Sequence, residues 1–163
     1  MAETATLASP FAKPAAGRPS REQAEARHGL LLDTALDLFL EQGFEGTTID
    51  TIAAAVGMTK RTIYARYEDK AALFRASLER AALAYAIPMG DVRALETEDL
   101  EATLIAIAKL RLANLMRAEG LKLQRVLNAE GYRFPDIQDT FYQTAARPTV
   151  AFLADLLARR TRV

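Results

Sequence analysis

Between Glu22 and Ile87 the chain contains no proline, and throughout that stretch its apolar residues recur every three or four positions. That spacing lines them along one side of an α-helix. The same spacing resumes near Leu100, and nowhere does the chain alternate apolar with polar residues as a half-buried strand would. The fold class expected is therefore all-α. Leu31, Ala35, Leu38 and Phe39 share one face of a first helix, expected from about Arg21 to Gln42, and Gly43 stops it. A second helix starts at Thr48, a good N-cap, carries Asp50 where the helix dipole favours an anion, and turns Ile49, Ile52, Ala53 and Val56 inward. Gly57 ends it. Thr59 caps a third helix, expected to run to about Tyr67, with Met58 and Ile63 at the two positions of a hydrophobic staple. A fourth begins near Asp69 and continues through Leu73, Phe74, Leu78, Ala81 and Tyr85 until Pro88 and Gly90 break it.

Beyond the break, Thr97-Glu98-Asp99 reads as a capped acidic turn leading into Leu100, Leu104, Ile107 or Ala108, Leu112 and Leu115. Gly120 is expected to divide this helix from one through Leu123, Val126 and Leu127. Phe134-Pro135-Asp136 opens a short helix through Ile137 and Phe141, and Pro148 opens a last one containing Val150, Leu153, Ala154 and Leu157. Ahead of all these, residues 1–20 are rich in Ala, Pro, Ser and Thr with little charge, the composition of a flexible arm. Three parts are thus expected: the arm, a helix-turn-helix unit over 21–68, and a helical regulatory and dimerisation unit over 69–163.

The pair of short helices joined at Gly57 constrains function most. A tight turn fixes the angle between them and leaves the second free to project. With Ile63 turned inward, the residues left outside are Thr59, Lys60, Arg61, Thr62, Tyr64 and Arg66, which combine cations for phosphates and guanine edges with hydroxyls for phosphate oxygens. The whole chain is neutral, with 21 basic and 21 acidic residues, so it has no global attraction for nucleic acid. From Met58 to Arg75, however, five basic residues (Lys60, Arg61, Arg66, Lys70, Arg75) face two acidic ones (Glu68, Asp69). Any DNA affinity must come from that local surplus. Lys70, at the start of the fourth helix, is expected to add its ammonium to the free N–H groups there and hold a phosphate.

Over Ala35 to Leu73 the sequence strongly resembles the tetracycline-repressor (TetR) family of bacterial regulators, through Gly43-Phe44, Thr47-Thr48, Ile52-Ala53, Gly57, Thr59, Ile63-Tyr64, Tyr67 and Lys70. The resemblance implies that the helix from Thr59 lies in the major groove of double-stranded operator DNA, with Lys60, Arg61 and Thr62 near base edges. Tyr64 and Lys70 would then hold phosphates, and Thr48 would sit by the DNA backbone. Gly17-Arg18-Pro19 looks like the basic arm of many family members, and Arg18 would reach phosphates or the adjacent minor groove. Ala65 stands where many relatives carry a larger residue. Tyr67 often corresponds to Phe, and its hydroxyl is expected at solvent or phosphate. The stretch from Glu130 to Tyr142, with Phe134-Pro135 and the pair Phe141-Tyr142, resembles the AefR-like group of C-terminal domains. Family C-terminal domains bind a small ligand among their helices and form homodimers through their last two long helices. Here one such candidate, Pro148 to Arg160, is present and a second is expected to be missing.

By implication the chain is a repressor released from a palindromic operator by a small hydrophobic effector. Leu104, Leu112, Met116, Phe141, Tyr142 and Phe152 are candidates to line the effector pocket, though each taken singly is better read as plain core. An activator, a ligand-independent regulator and a helical protein-interaction module are the alternatives. Nothing suggests an enzyme, for there is no nucleophile with a base, no metal-ligand spacing and no glycine-rich phosphate loop. No cofactor or metal is expected. His28, the single histidine, sits among charged residues and is expected at the surface. The absence of cysteine, of a secretory signal and of any apolar run near the roughly 20 residues that span a bilayer points to a cytoplasmic protein without membrane contact.

Overall fold

A computed structural model describes residues 20–161, which form α-helices and one π-helical turn, with no strand among them. The first helix, α1 (Arg21–Gly46), opens on a capping box in which the Ser20 hydroxyl accepts the Gln23 amide and the Gln23 side chain accepts the Ser20 amide. Gly43 interrupts it at φ +73°, a left-handed conformation that glycine adopts without a Cβ penalty, and a last turn carries the chain to Gly46. The buried Thr47 hydroxyl donates to the carbonyls of Leu38 and Gly43 at 3.0 and 2.9 Å, which locks the chain as it leaves that turn. Next come α2 (Ile49–Val56), α3 (Lys60–Tyr64) and α4 (Lys70–Tyr85). Asp69 caps α4 by accepting the Ala72 amide at 2.7 Å.

The C-terminal half contains α5 (Met89–Arg93), α6 (Leu100–Leu115), α7 (Ala118–Glu130), α8 (Pro135–Phe141), a π-helical turn (Tyr142–Ala146) and α9 (Arg147–Arg160). Four expectations are corrected here. The third helix ends at Tyr64 and not near Tyr67, because the chain must leave it for Tyr67 to pack and for Asp69 to cap α4. The break at Pro88 holds a short helix, α5, which Pro88 starts by supplying a residue whose missing N–H is no loss at a helix entrance. Gly120 lies inside α7 and divides nothing: a Cβ there would stand 2.7 Å from the Leu115 carbonyl oxygen and 2.8 Å from that of Asn114, so glycine lets the start of α7 press against the end of α6. Finally, α8 and α9 are not separate, since the π-helical turn joins them. The widened turn precedes Pro148, whose ring would otherwise press on the carbonyl of Thr144.

The main hydrophobic core runs from Leu31, Ala35 and Phe39 of α1, through Ile52, Ile63 and Phe74, to Leu123, Val126, Phe134 and Ile137, while Val92, Ile107 and Leu156 are buried outside it. Its centre is a cluster of four phenylalanines, with centroids of Phe39–Phe74 at 4.9 Å, Phe44–Phe74 at 5.2 Å and Phe44–Phe134 at 5.0 Å, the tilted or edge-on packing that aromatic quadrupoles prefer. Side chains from both sides of position 68 share this core. By contrast α6, apolar on every side, buries only Thr103 and Ile107, while Ile105, Leu112 and Met116 stay exposed.

Candidate nucleic-acid interface

The interface is built on the turn between α2 and α3. Gly57 takes φ +63° and the following amide, Met58 N–H, donates to the Ala53 carbonyl at 2.9 Å, so α2 ends in a left-handed cap and the chain reverses within three residues. Thr59 then caps α3, its hydroxyl accepting the Thr62 amide at 3.2 Å and lying 2.8 Å from the Thr62 hydroxyl. Thr48 repeats the arrangement on α2, bonding the Thr51 amide at 3.1 Å and the Thr51 hydroxyl at 2.6 Å. Ile63 is fully buried and ties α3 to the core, which leaves the rest of this short helix outside.

Thr59, Lys60, Arg61, Thr62, Tyr64 and Arg66 are all exposed, with about half of the Tyr64 surface in solvent. Arg61 and Arg66 form no ion pair with the described residues, so their guanidiniums stand available. Lys60 differs, since its ammonium lies 2.6 Å from the Asp50 carboxylate at the start of α2. This pair is more than half exposed and therefore weak enough to open against a phosphate or a base edge.

Two sequence expectations change. Lys70 does not project as a free cation: its ammonium donates to the carbonyls of Phe44 at 2.7 Å and Thr47 at 2.9 Å, and lies 4.4 Å above the Phe44 ring. The reason is position, because the unpaired carbonyls where α1 ends lie within reach of the first residue of α4, and a cation satisfies several at once. Likewise Tyr67 does not turn its hydroxyl outward but meets His28, which lies half-buried at the surface of α1. His28 Nε2 and the Tyr67 hydroxyl lie 2.5 Å apart, with the rings stacked, and they join α1 to the chain that leaves α3. Burial holds the His28 pKa below its ordinary value, and the cations Arg66 and Arg80 lower it further. Burial raises that of Tyr67. Arg18 lies outside the described residues.

One residue escaped the sequence reading. Arg27 of α1 lines a groove of about 380 Å³ together with His28, Met58, Thr59, Thr62 and Arg66. It brings a further cation beside the α3 cap. No local pattern announces it, since it precedes the turn motif by thirty positions and meets it only where α1 borders the same groove.

A separate cavity of about 180 Å³ lies among α4, α7 and α8, lined by Leu78, Ala82, Leu123, Leu127 and Phe141 with Arg75, Glu79, Asp136 and Thr140 at its polar parts. Of the six candidate pocket residues only Phe141 reaches it; Leu112, Met116 and Tyr142 are exposed instead. Among the described residues no helix is long and apolar enough to cross a membrane, and no cluster of His, Asp or Glu is suited to hold a metal.

Comparison with known proteins gives concordant results. Residues 31–77 match the family described as bacterial regulatory proteins, tetR family, and residues 102–162 match the AefR-like transcriptional repressor, C-terminal domain. The biofilm operon icaADBC HTH-type negative transcriptional regulator IcaR of Staphylococcus epidermidis is 39% identical over 49 residues, 30% of this chain and 26% of that protein. The HTH-type transcriptional regulator AcrR of Shigella flexneri is 39% identical over 57 residues, 35% of this chain and 26% of that protein. These matches therefore span about a quarter of each relative's length. Among solved structures, a TetR-family transcriptional regulator from Mesorhizobium loti superposes with a TM-score of 0.67 at 25% identity, covering 87% of this chain and 72% of that one. The flavonoid-responsive regulator FrrA gives 0.65 at 29% identity, covering 83% and 68%.

Proposed function

The chain belongs to the TetR family of bacterial transcriptional regulators, with an AefR-like C-terminal half, and from that premise we propose that it represses transcription as a two-fold dimer on a palindromic operator. The observation that carries this reading is the exposed face of α3 and of the turn after it, where Arg61 and Arg66 stand without an ion-pair partner among the described residues, on a segment pinned by buried Ile63. In a neutral chain such a face suits the docking of a short helix end-on into a major groove. Arg61, Lys60 and Thr62 meet base edges, Lys60 exchanging Asp50 for DNA. Thr48, Thr59, Tyr64, Arg66 and Arg27 hold the sugar-phosphate backbone. The exposed Leu112 of α6, Met116 just after it, and Val150 and Leu157 of α9 supply apolar surface for the second copy.

Release by a small effector draws on the cavity among α4, α7 and α8, which at about 180 Å³ must widen to enclose a ligand and has charged Arg75, Glu79 and Asp136 beside its apolar wall. The response of FrrA to flavonoids favours an aromatic ligand. Such a ligand releases DNA only by binding more tightly to a conformation whose two α3 helices no longer match the groove spacing. Action on chromosomal DNA places the protein in the cytoplasm.

The test is selection of duplexes from a random pool by the wild-type protein, followed by affinity measurements against salt. A palindromic consensus with half-sites about one helical turn apart is expected. Arg61→Ala then loses roughly 1–3 kcal/mol of affinity for it and relaxes the preference at one base pair. Enrichment of no sequence, or binding that salt leaves unchanged, overturns the proposal.

A further inference from the structure

The segment from Glu130 to Phe134, the most distinctive stretch of the C-terminal half, takes no part in the exposed face of α3, and its side chains reach the end of α1. The Phe44 amide donates to Glu130 Oε1 at 3.4 Å. Arg133 pairs with the Glu45 carboxylate and lies 4.8 Å over the Phe44 ring, the same ring that Lys70 covers at 4.4 Å. Phe134 meets Phe44 edge-on at 5.0 Å. The turn from Gly43 to Thr47 is thus gripped by residues from both halves of the chain. This turn hands the chain to α2: Gly43 supplies its positive φ, Thr47 is buried, Thr48 caps α2, and α3 follows across Gly57.

We infer that Glu130 and Arg133 are positioning residues for operator recognition, which set the α1–α2 turn from the C-terminal half and through it the angle at which α2 and α3 are presented. The inference rests on the operator reading above. It follows from what the contacts cannot be doing otherwise. The Arg133–Glu45 pair is about half exposed on one side and almost three-quarters on the other, so it adds little to stability. What it does supply is placement, since a recognition element a fraction of an ångström out of register loses much of its affinity. The C-terminal half accordingly holds the DNA-binding helices through the shared core and the continuous chain at α4, and grips the turn itself through this lateral joint. Any shift of α7 and α8 against α1 moves the turn.

Two measurements on Arg133→Met, in the full chain, test this. Its melting temperature should fall by no more than about 6 °C, as the loss of an exposed pair and of a cation–π contact implies. Affinity for the duplex enriched by wild type should fall about tenfold, the worth of one bidentate base contact, while affinity for an unrelated duplex holds. Arg133→Lys, which keeps a cation over the Phe44 ring, should restore most of the loss. Hydrogen exchange, which needs no DNA, should quicken at amides of Ile49–Val56 and stay unchanged in α6. Unchanged affinity together with unchanged exchange overturns the inference. So does an equal loss on both duplexes with a salt slope shallower by about one, which would make Arg133 a phosphate ligand itself. If wild type enriches no duplex, the operator reading falls, and exchange alone decides whether Arg133 orders α2.

Discussion

A lysine beside a DNA-facing helix can spend its ammonium on phosphate or on the protein's own carbonyls, and Lys70 spends it on the protein. Its predicted effect shifts accordingly. Lys70→Met should cost roughly 1–3 kcal/mol of stability in denaturant unfolding, the range for charged hydrogen bonds to partners left unsatisfied. The salt dependence of DNA binding should change little, where a phosphate ligand would alter the slope by about one. His28 carries a pH dependence. Burial first, then Arg66 and Arg80, depress its pKa below the ordinary 6.5, so the unfolded chain takes up the proton before the folded one does. Its contribution to stability is therefore complete above that value and lost as pH falls through the lower, folded pKa. Between about pH 7.5 and about pH 5.5, the melting temperature of wild type should fall further than that of His28→Gln. An equal fall in both proteins would show that His28 is not the responsible group. The internal partners of these two residues were not legible in sequence for one reason: each lies more than twenty positions away.

Elements were more legible than side-chain partners. The caps Thr48, Thr59 and Asp69 each accept the amide three residues on, as their positions before apolar periods implied, whereas in the expected acidic turn at Thr97-Glu98-Asp99 it is Asp99 that caps α6. Gly57 and Gly43 take the positive φ that stop signals require. Gly120 was placed wrongly because a glycine used for close approach looks, in sequence, the same as one used to end a helix. Gly120→Ala should destabilise the chain by roughly 1–3 kcal/mol, since the added carbon meets two backbone carbonyls that have no rotamer to change. A melting temperature equal to wild type would mean that α6 and α7 separate easily. The end of α3 and the join of α8 to α9 were also invisible locally. One depends on where Tyr67 packs, the other on a π-helical turn that absorbs Pro148.

At the scale of the whole molecule, the division expected near residue 68 does not divide the core, since Phe39, Phe44 and Phe74 close on Phe134. Unfolding should therefore be a single transition, with tyrosine fluorescence and far-ultraviolet circular dichroism giving coincident curves in urea. Two resolved steps would mean that the halves fold separately and that the Phe134 contact is marginal. The sequence by itself determined the helical class, the turn at Gly57 and the exposed basic face of α3, because these depend on spacing, capping and φ preferences within a few residues. It also carried the family through motifs of fixed spacing. Tertiary structure alone decided that Lys70 and Tyr67 turn inward, that Arg27 joins the α3 cap, and that Glu130 and Arg133 hold the end of α1. Those partnerships cross 23 to 88 positions of chain, and no local propensity records which distant surface a side chain will meet once the core has closed.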